Sequence, residues 1–179
     1  MFATDRLVLR AYNESDLDEL LILWNEAGVQ TGATIDHVVP RGPKWKETFR
    51  SWLDNARLHW IIQLKDTFQF VGYLTLRDEN PKNRDGDLAI TLKTAHWGKG
   101  YASEVLKFTV DHAFRVLNLH RVSLGVFETN DRAVNLYKKI GFVEEGRLRK
   151  ANWIDGAWRN VVLMSILDEE WSARQAQQQ

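Results

Sequence analysis

Leu92-Lys93-Thr94-Ala95-His96-Trp97-Gly98-Lys99-Gly100-Tyr101-Ala102-Ser103-Glu104 joins a strand to a helix. Before it, Leu88, Ile90 and Leu92 alternate along Asp87 to Lys93 as one face of a strand. After it, Ala102, Val105, Leu106, Val110, Ala113 and Leu117 recur at helical spacing, so a long helix is predicted from Gly100 to Leu117. Gly98 and Gly100 allow backbone angles closed to other residues and let a ligand approach the main chain. The next amides belong to a helix N-terminus, where unpaired N–H groups and the dipole favour an anion. The stretch therefore reads as a backbone cradle for phosphate or pyrophosphate, or as an ordinary tight strand-to-helix turn. A P-loop is excluded, because Lys93 stands where its first Gly belongs and Gly100 follows Lys99. The dinucleotide fingerprint fails too, because Ser103 occupies the place of its third Gly.

On the N-terminal side, Arg6 to Tyr12 reads as a strand with Leu7 and Leu9 on its apolar face. A helix follows from Glu14, with Leu17, Leu20, Leu21 and Trp24 as its stripe and Asn13 or Ser15 as its cap. Gly28 to Pro43 reads as a polar connection, and Pro43 opens a second helix from Lys44 to Arg57. His59 to Lys65 and Gln69 to Arg77 are strands joined at Asp66-Thr67-Phe68, and Asp78 to Gly86 is a loop. On the C-terminal side come a strand from Arg121 to Val126 and a helix from Asp131 to Ile140, closed by Gly141 in the left-handed region. Two strands finish the pattern, Phe142 to Trp153 and Trp158 to Leu167, with Asp155-Gly156 as a hairpin turn. The mixture of strands and helices is not strictly alternating. It predicts an α+β fold with a central twisted, mostly antiparallel mixed sheet of about seven strands flanked by about four helices.

The 179 residues suit a single domain over 1–170, with 171–179 as a polar C-terminal tail that frays over Gln175 to Gln179. Hydrophobic residues at 44% and charged residues at 27% exclude a disordered chain. Basic and acidic residues number 24 each, so there is no cationic surplus for nucleic acid. The absence of Cys removes disulfides, a thiol nucleophile and Cys-based zinc sites, and no metal is expected. No run approaches the length of a spanning helix and the N-terminus does not read as a signal peptide. The expectation is a soluble, cytoplasmic protein without a membrane partner, monomeric or homodimeric. Asn13-Glu14-Ser15 matches a glycosylation sequon but reads as a helix start.

A second segment runs from Val126 to Phe142. Asn130 and Tyr137 stand seven positions apart, two helical turns, and so share a face. As structure alone, Asn130 is a cap and Tyr137 a half-buried aromatic. Trp97-Gly98-Lys99-Gly100-Tyr101-Ala102, followed by Asn130-x-x-Ala133-x-x-x-Tyr137-x-x-x-Gly141-Phe142, resembles the GNAT N-acetyltransferases. The start Asp5-Arg6-Leu7-Val8-Leu9-Arg10 and the end Asp155-Gly156-x-x-Arg159-Asn160-x-x-x-Met164-Ser165 are similar to the branch holding ribosomal-protein N-terminal and spermidine acetyltransferases. The resemblance spans Thr4 to Leu167.

It implies a GNAT-like fold and transfer of acetyl from acetyl-CoA directly to a primary amine, of a small molecule or a protein N-terminus. Trp97, Gly98, Lys99, Gly100, Tyr101, Ala102 and Ser103 would hold the pyrophosphate. Ile90 and Leu92 would pair with the pantetheine as an added strand does. Asn130 and Ala133 would also line the cofactor, and Tyr137 would lie by the sulfur. Trp97 replaces the usual Gln or Arg, Ala133 removes a Ser seen in some members, and Asn160 stands where many relatives have Asp. The helices over 14–57 would wall the acceptor site, and they show no dense acidic pocket that would demand a polyamine.

For the chemistry, Tyr137 is the candidate acid and an amide near Leu92 the oxyanion donor. Glu128 is the first candidate base and Asp87 the fallback. Glu104 is expected to face solvent or pair along its helix, His96 to lie on the surface, and Lys99 to screen phosphate charge. Two other classes stand beside the enzyme. One is a catalytically silent acyl-CoA-binding sensor; the other, a nucleotide-binding protein, is weakened by the failed P-loop.

Overall fold

The computed structural model describes residues 1–177. In chain order the elements are β1 (Phe2–Ala3), β2 (Leu7–Arg10), α1 (Asp16–Leu23), α2 (Ala27–Ala33), α3 (Trp45–Asp54), β3 (Leu58–Leu64), β4 (Phe70–Asn80) and β5 (Asp85–Leu92). They continue with α4 (Tyr101–Arg115), β6 (Arg121–Phe127), α5 (Asp131–Ile140), β7 (Val143–Ile154), β8 (Ala157–Leu167) and α6 (Asp168–Ala176). The strands form one open sheet in the order β1-β2-β3-β4-β5-β6-β8-β7. β5 and β6 pair in parallel over Asp85–Asp87, whereas β2–β3, β3–β4, β6–β8 and β7–β8 are antiparallel. The expected α+β architecture is therefore present, with eight strands and six helices among the described residues.

The chain groups into two compact units, with β4, β5 and α4 contributing to both. The first comprises residues 1–77 and 89–105. Its core joins Leu17, Leu20, Leu23 and Trp24 of the α1 region to Phe49 and Leu53 of α3 and to Ile61, Phe70 and Tyr73 of the sheet. Trp45 and Trp52 pack partly buried against it, with ring centroids 6.5 and 5.7 Å from Trp24. The Trp24 indole N–H donates to the Tyr73 hydroxyl at 3.1 Å, which removes the cost of burying either group unpaired. β5 runs so close to β4 that a Cβ on Gly72 would sit 2.2 Å from the Thr91 carbonyl oxygen. Only glycine fits there.

The second unit comprises residues 78–88 and 106–179. Its ladders run from Arg121↔Leu167 to Phe127↔Val161 and from Val143↔Ser165 to Ile154↔Ala157. β7 is irregular between Glu144 and Gly146 and again between Leu148 and Asn152. Asp155 and Gly156 both have positive φ, +47° and +74°, as the expected two-residue hairpin turn requires.

Several sequence expectations are corrected. β1 was not foreseen, and Val8 is buried together with Leu7 and Leu9. The loop expected over Asp78–Gly86 is strand at both ends. Inside the polar connection from Gly28 lies α2. Ser15 precedes α1 but makes no side-chain cap; the Asp16 carboxylate instead accepts from the Asn13 amide at 2.7 Å. Gly141 closes α5 at φ +129°, beyond the left-handed helical region. The expected frayed tail is helical through Ala176, anchored by buried Trp171, while Gln178 and Gln179 lie outside the described residues.

Candidate active site

In the first unit, the bend from Leu92 to Glu104 is stiffened from three sides. The Trp97 indole N–H donates to the Leu92 carbonyl at 2.8 Å, and its ring packs against Gly28 of α2. Trp97 is thus a peg between the strand end and α2. The Thr94 amide donates to the Glu26 carboxylate at 2.8 Å. The Lys93 ammonium donates to Glu19 at 2.6 Å and lies over the Phe70 ring.

Arg6 makes the third support. Its amide and its Nε donate to the two oxygens of Glu104, both at 2.8 Å. Its Nη1 donates to the Lys99 carbonyl at 3.0 Å, and its guanidinium lies 4.7 Å from the centre of the Tyr101 ring. Thr4 Oγ1 also donates to Glu104. Burial pushes the Glu104 carboxyl up, but the donors from Thr4 and Arg6 outweigh it and hold it below the usual carboxylate range. Glu104 therefore neither faces solvent nor pairs along its helix. It is a clamp between the chain start and α4.

The bend itself is open. Gly98 and Gly100 sit at φ +74° and +83°, and Gly98, Lys99 and Gly100 are exposed. Among the described residues the amides of Gly98 to Ser103 have no hydrogen-bond acceptor. Clustered N–H groups at the start of a fifteen-residue helix are what a pyrophosphate needs. The residues thus fit the diphosphate of coenzyme A. Ile90 is half-buried and Leu92 buried at the strand end. His96, expected on the surface, is buried. Burial and the charges of Lys99 and Lys93 lower its pKa, so it is a neutral structural ring.

The carboxylates over 14–57 are matched internally. Arg50 holds Glu14 and Arg10 holds Asp16, each at 2.7 Å. Lys46 pairs with Asp18, Arg41 with Asp36 at 3.3 Å, and the Tyr12 hydroxyl donates to Asp54 at 2.8 Å. With Glu19 and Glu26 already engaged by Lys93 and Thr94, Glu47 alone lacks a partner among the described residues.

In the second unit, α5 carries Asn130 at its cap and Tyr137 two turns further on. The Asn130 Oδ1 accepts from the Ala133 amide at 3.2 Å, the expected cap, leaving its Nδ2 as a donor. Tyr137 is buried and packs edge-on to Phe142 at 5.7 Å. Burial and the charge of Asp87 push its hydroxyl up to about 12. It therefore stays protonated at physiological pH. Glu128 accepts from the Asn160 amide and from Asn160 Nδ2, both at 2.8 Å. Those bonds hold its carboxyl below the usual range, outweighing burial, with help from Arg147 and Arg159. The Asn160 Oδ1 in turn accepts from the Lys150 amide at 2.9 Å. An Asp at 160 would lose the donor to Glu128 and set two carboxylates face to face.

Sequence reasoning located the bend and the Asn130 cap. It missed Arg6 and Thr4 as supports, although Arg6 stood in the opening motif, and it missed Asn160 as the partner of Glu128. Among the described residues no cluster of three or more His, Asp or Glu is placed to hold a metal ion, and no helix is long and apolar enough to cross a membrane.

Comparison with known proteins matches residues 6–143 to the acetyltransferase (GNAT) domain family. The chain is 33% identical to a spermidine N(1)-acetyltransferase of Vibrio cholerae over 121 residues, 68% of this chain and 69% of that one. It is 27% identical to a putative ribosomal N-acetyltransferase of Bacillus subtilis over 100 residues, 56% and 55% of the two chains. The crystal structure of spermidine N-acetyltransferase from Vibrio cholerae with CoA and spermine superposes with a TM-score of 0.83, at 29% identity, covering 93% of this chain and 98% of that one.

Proposed function

The chain belongs to the GNAT acetyltransferase family and transfers the acetyl group of acetyl-CoA to an amine, and we propose that its acceptor is a lightly charged α-amine, of a peptide or protein N-terminus or a small molecule, rather than a polyamine. The observation that carries this is the internal matching of the acids over 14–57, the region that walls the acceptor in this family. A polyamine brings several ammonium groups out of water and needs free carboxylates to meet them. Here all of those carboxylates but Glu47 already have partners among the described residues.

The state of the candidate bases supports the same reading. Glu128 is held ionised by Asn160 and is a weak base. A lysine-like amine, with a pKa of about 10.4, is under ~1% neutral at pH 7, whereas an α-amine near 8 is roughly a tenth neutral. The second needs far less help to expose its lone pair. Acetyl-CoA supplies an activated thioester carbonyl, and with no Cys in the chain the transfer is direct. The amides of Gly98 to Ser103 hold the diphosphate, Ile90 and Leu92 align the pantetheine, and Asn130 Nδ2 donates to it. An amide near Leu92 meets the developing oxyanion. Tyr137, protonated because its pKa lies at about 12, offers its hydroxyl proton to the leaving sulfur. Glu128, or Asp87 at the start of β5, collects the proton lost by the amine.

The same reading carries a cytoplasmic enzyme, one domain over 1–170, monomeric or homodimeric. Its net charge of zero gives no general attraction to nucleic acid. Thiol release at pH 7 with an alanyl tripeptide amide and with spermidine tests the acceptor. The tripeptide is expected to give the larger kcat/KM; a clear preference for spermidine, the substrate named for the Vibrio relative, overturns the proposal.

A further inference from the structure

Gly100 takes φ +83°, and its amide has no acceptor among the described residues. Glycine visits positive and negative φ about equally, so the residue alone does not decide which way the Lys99–Gly100 peptide faces. In a trans peptide the carbonyl and the next N–H lie in one plane and point in opposite directions. Whatever holds the Lys99 carbonyl therefore aims the Gly100 N–H. That holder is Arg6, whose Nη1 donates to the Lys99 carbonyl at 3.0 Å. The guanidinium is itself fixed. Its Nε donates to Glu104 at 2.8 Å, it lies 4.7 Å from the centre of the Tyr101 ring, and a Cβ on Gly100 would sit 3.3 Å from its Nη2. A guanidinium is one rigid plane, so the bond at Nε directs Nη1. Hydrogen bonds in a chain also polarise one another, and a cationic donor on the carbonyl strengthens the N–H on the far side of the same peptide.

We propose that Arg6 is a positioning residue for coenzyme A: by holding the Lys99 carbonyl, it aims the Gly100 N–H at the diphosphate and makes it a stronger donor. Arg6 acts through the peptide, not on the cofactor. The inference rests on the reading of Gly98 to Ser103 as the diphosphate cradle and adds the residue that orients it. By linkage, the bound cofactor must tighten the same bond between Arg6 and the Lys99 carbonyl.

Calorimetry with coenzyme A compares wild type with Arg6→Lys and Arg6→Gln. Lysine keeps the charge and can pair with Glu104, but it lacks the planar fork that also reaches the Lys99 carbonyl. The Kd should rise about fivefold in both variants, the size of one lost hydrogen bond. Thiol release, with whichever of spermidine and the alanyl tripeptide amide turns over faster, separates this from a general loosening. The ratio of kcat/KM for acetyl-CoA to that for S-acetylpantetheine, which ends before the diphosphate, should fall about fivefold, through the KM for acetyl-CoA. An unmoved Kd, or an equal loss with both acyl donors, overturns the role of Arg6. Wild type gives a readout that needs no variant. Exchange of the Arg6 guanidinium N–H groups with solvent must slow on adding coenzyme A, and an unmoved rate overturns the proposal. The Gly100 amide resonance of wild type separates the two levels. If it stays in place on adding coenzyme A, the cradle reading fails and the role of Arg6 with it. If it shifts while Kd is the same in all three proteins, only the role of Arg6 falls.

Discussion

The bend before α4 and the strand end before α5 both deliver the chain into a helix N-terminus, yet they offer opposite chemistry. Ahead of α4 the amides of Gly98 to Ser103 have no acceptor, and the neighbouring side chains serve as scaffolding: Trp97 as a peg, Arg6 and Glu104 as a clamp. Ahead of α5 the Asn130 side chain takes up the Ala133 amide, so the helix start is satisfied from within. What is left over there is the Asn130 Nδ2, with the buried Tyr137 two turns further along. An uncapped helix start keeps its amides available for an anion; a capped start has already satisfied one of them from within.

The difference can be broken at four points. Tyr137→Phe has the largest expected effect, a fall in kcat of about 100-fold or more with little change in the KM for acetyl-CoA, read by thiol release. An unchanged kcat would show that α5 only scaffolds. Gly98→Val forces a β-branched residue to φ +74°. Strain of about 2 kcal/mol should weaken acetyl-CoA binding roughly 30-fold by calorimetry. Asn130→Asp keeps the capping oxygen and removes the Nδ2 donor, so the thermal midpoint should hold while the KM for acetyl-CoA rises about fivefold. A drop in midpoint of the size a lost cap causes, with KM unchanged, would mean that Asn130 is a cap and nothing more.

The smallest effect is on stability. Glu104→Gln removes a charge whose pKa in the fold lies below its unfolded value of about 4.3. A depressed carboxylate pKa adds stability above the unfolded pKa and loses it as pH falls through the folded one. Wild type should therefore exceed Glu104→Gln by about 1 kcal/mol at pH 7, a modest figure because Arg6 is half exposed. That gap should close as the pH is lowered beneath the ordinary carboxylate range. A gap independent of pH would assign the clamp to shape instead of charge.

The parts that the sequence announced are those with a local signature. Gly98 and Gly100 mark the bend because their φ values strongly favour glycine, and α4 and α5 show their stripes at helical spacing. α2 escaped because Ala27–Ala33 holds two glycines and little periodicity. Buried Gln30 fastens it, donating to the Trp24 and Val39 carbonyls at 2.6 and 3.0 Å, and Gly28 packs it on Trp97. α6 was taken for a tail because one buried Trp171 and a Glu170 that accepts from the Leu167 amide at 2.9 Å stabilise a polar segment. His96 and Glu104 were misplaced for the same reason. Their surroundings come from Phe70, Thr4 and Arg6, distant in sequence, and no pattern within one segment reports them. Glu128 was located at its strand end, but its engagement by Asn160 lies 32 positions away.

The clamp on Glu104 also sets a timetable. Arg6 and Glu104 are 98 residues apart. A ribosome adding about 5–20 residues per second takes roughly 5–20 s to cover that span. Throughout that interval Arg6 has already been made but lacks the carboxylate that clamps it. Coenzyme-dependent protection of the nascent polypeptide from proteases should thus begin only after Glu104 has left the exit tunnel.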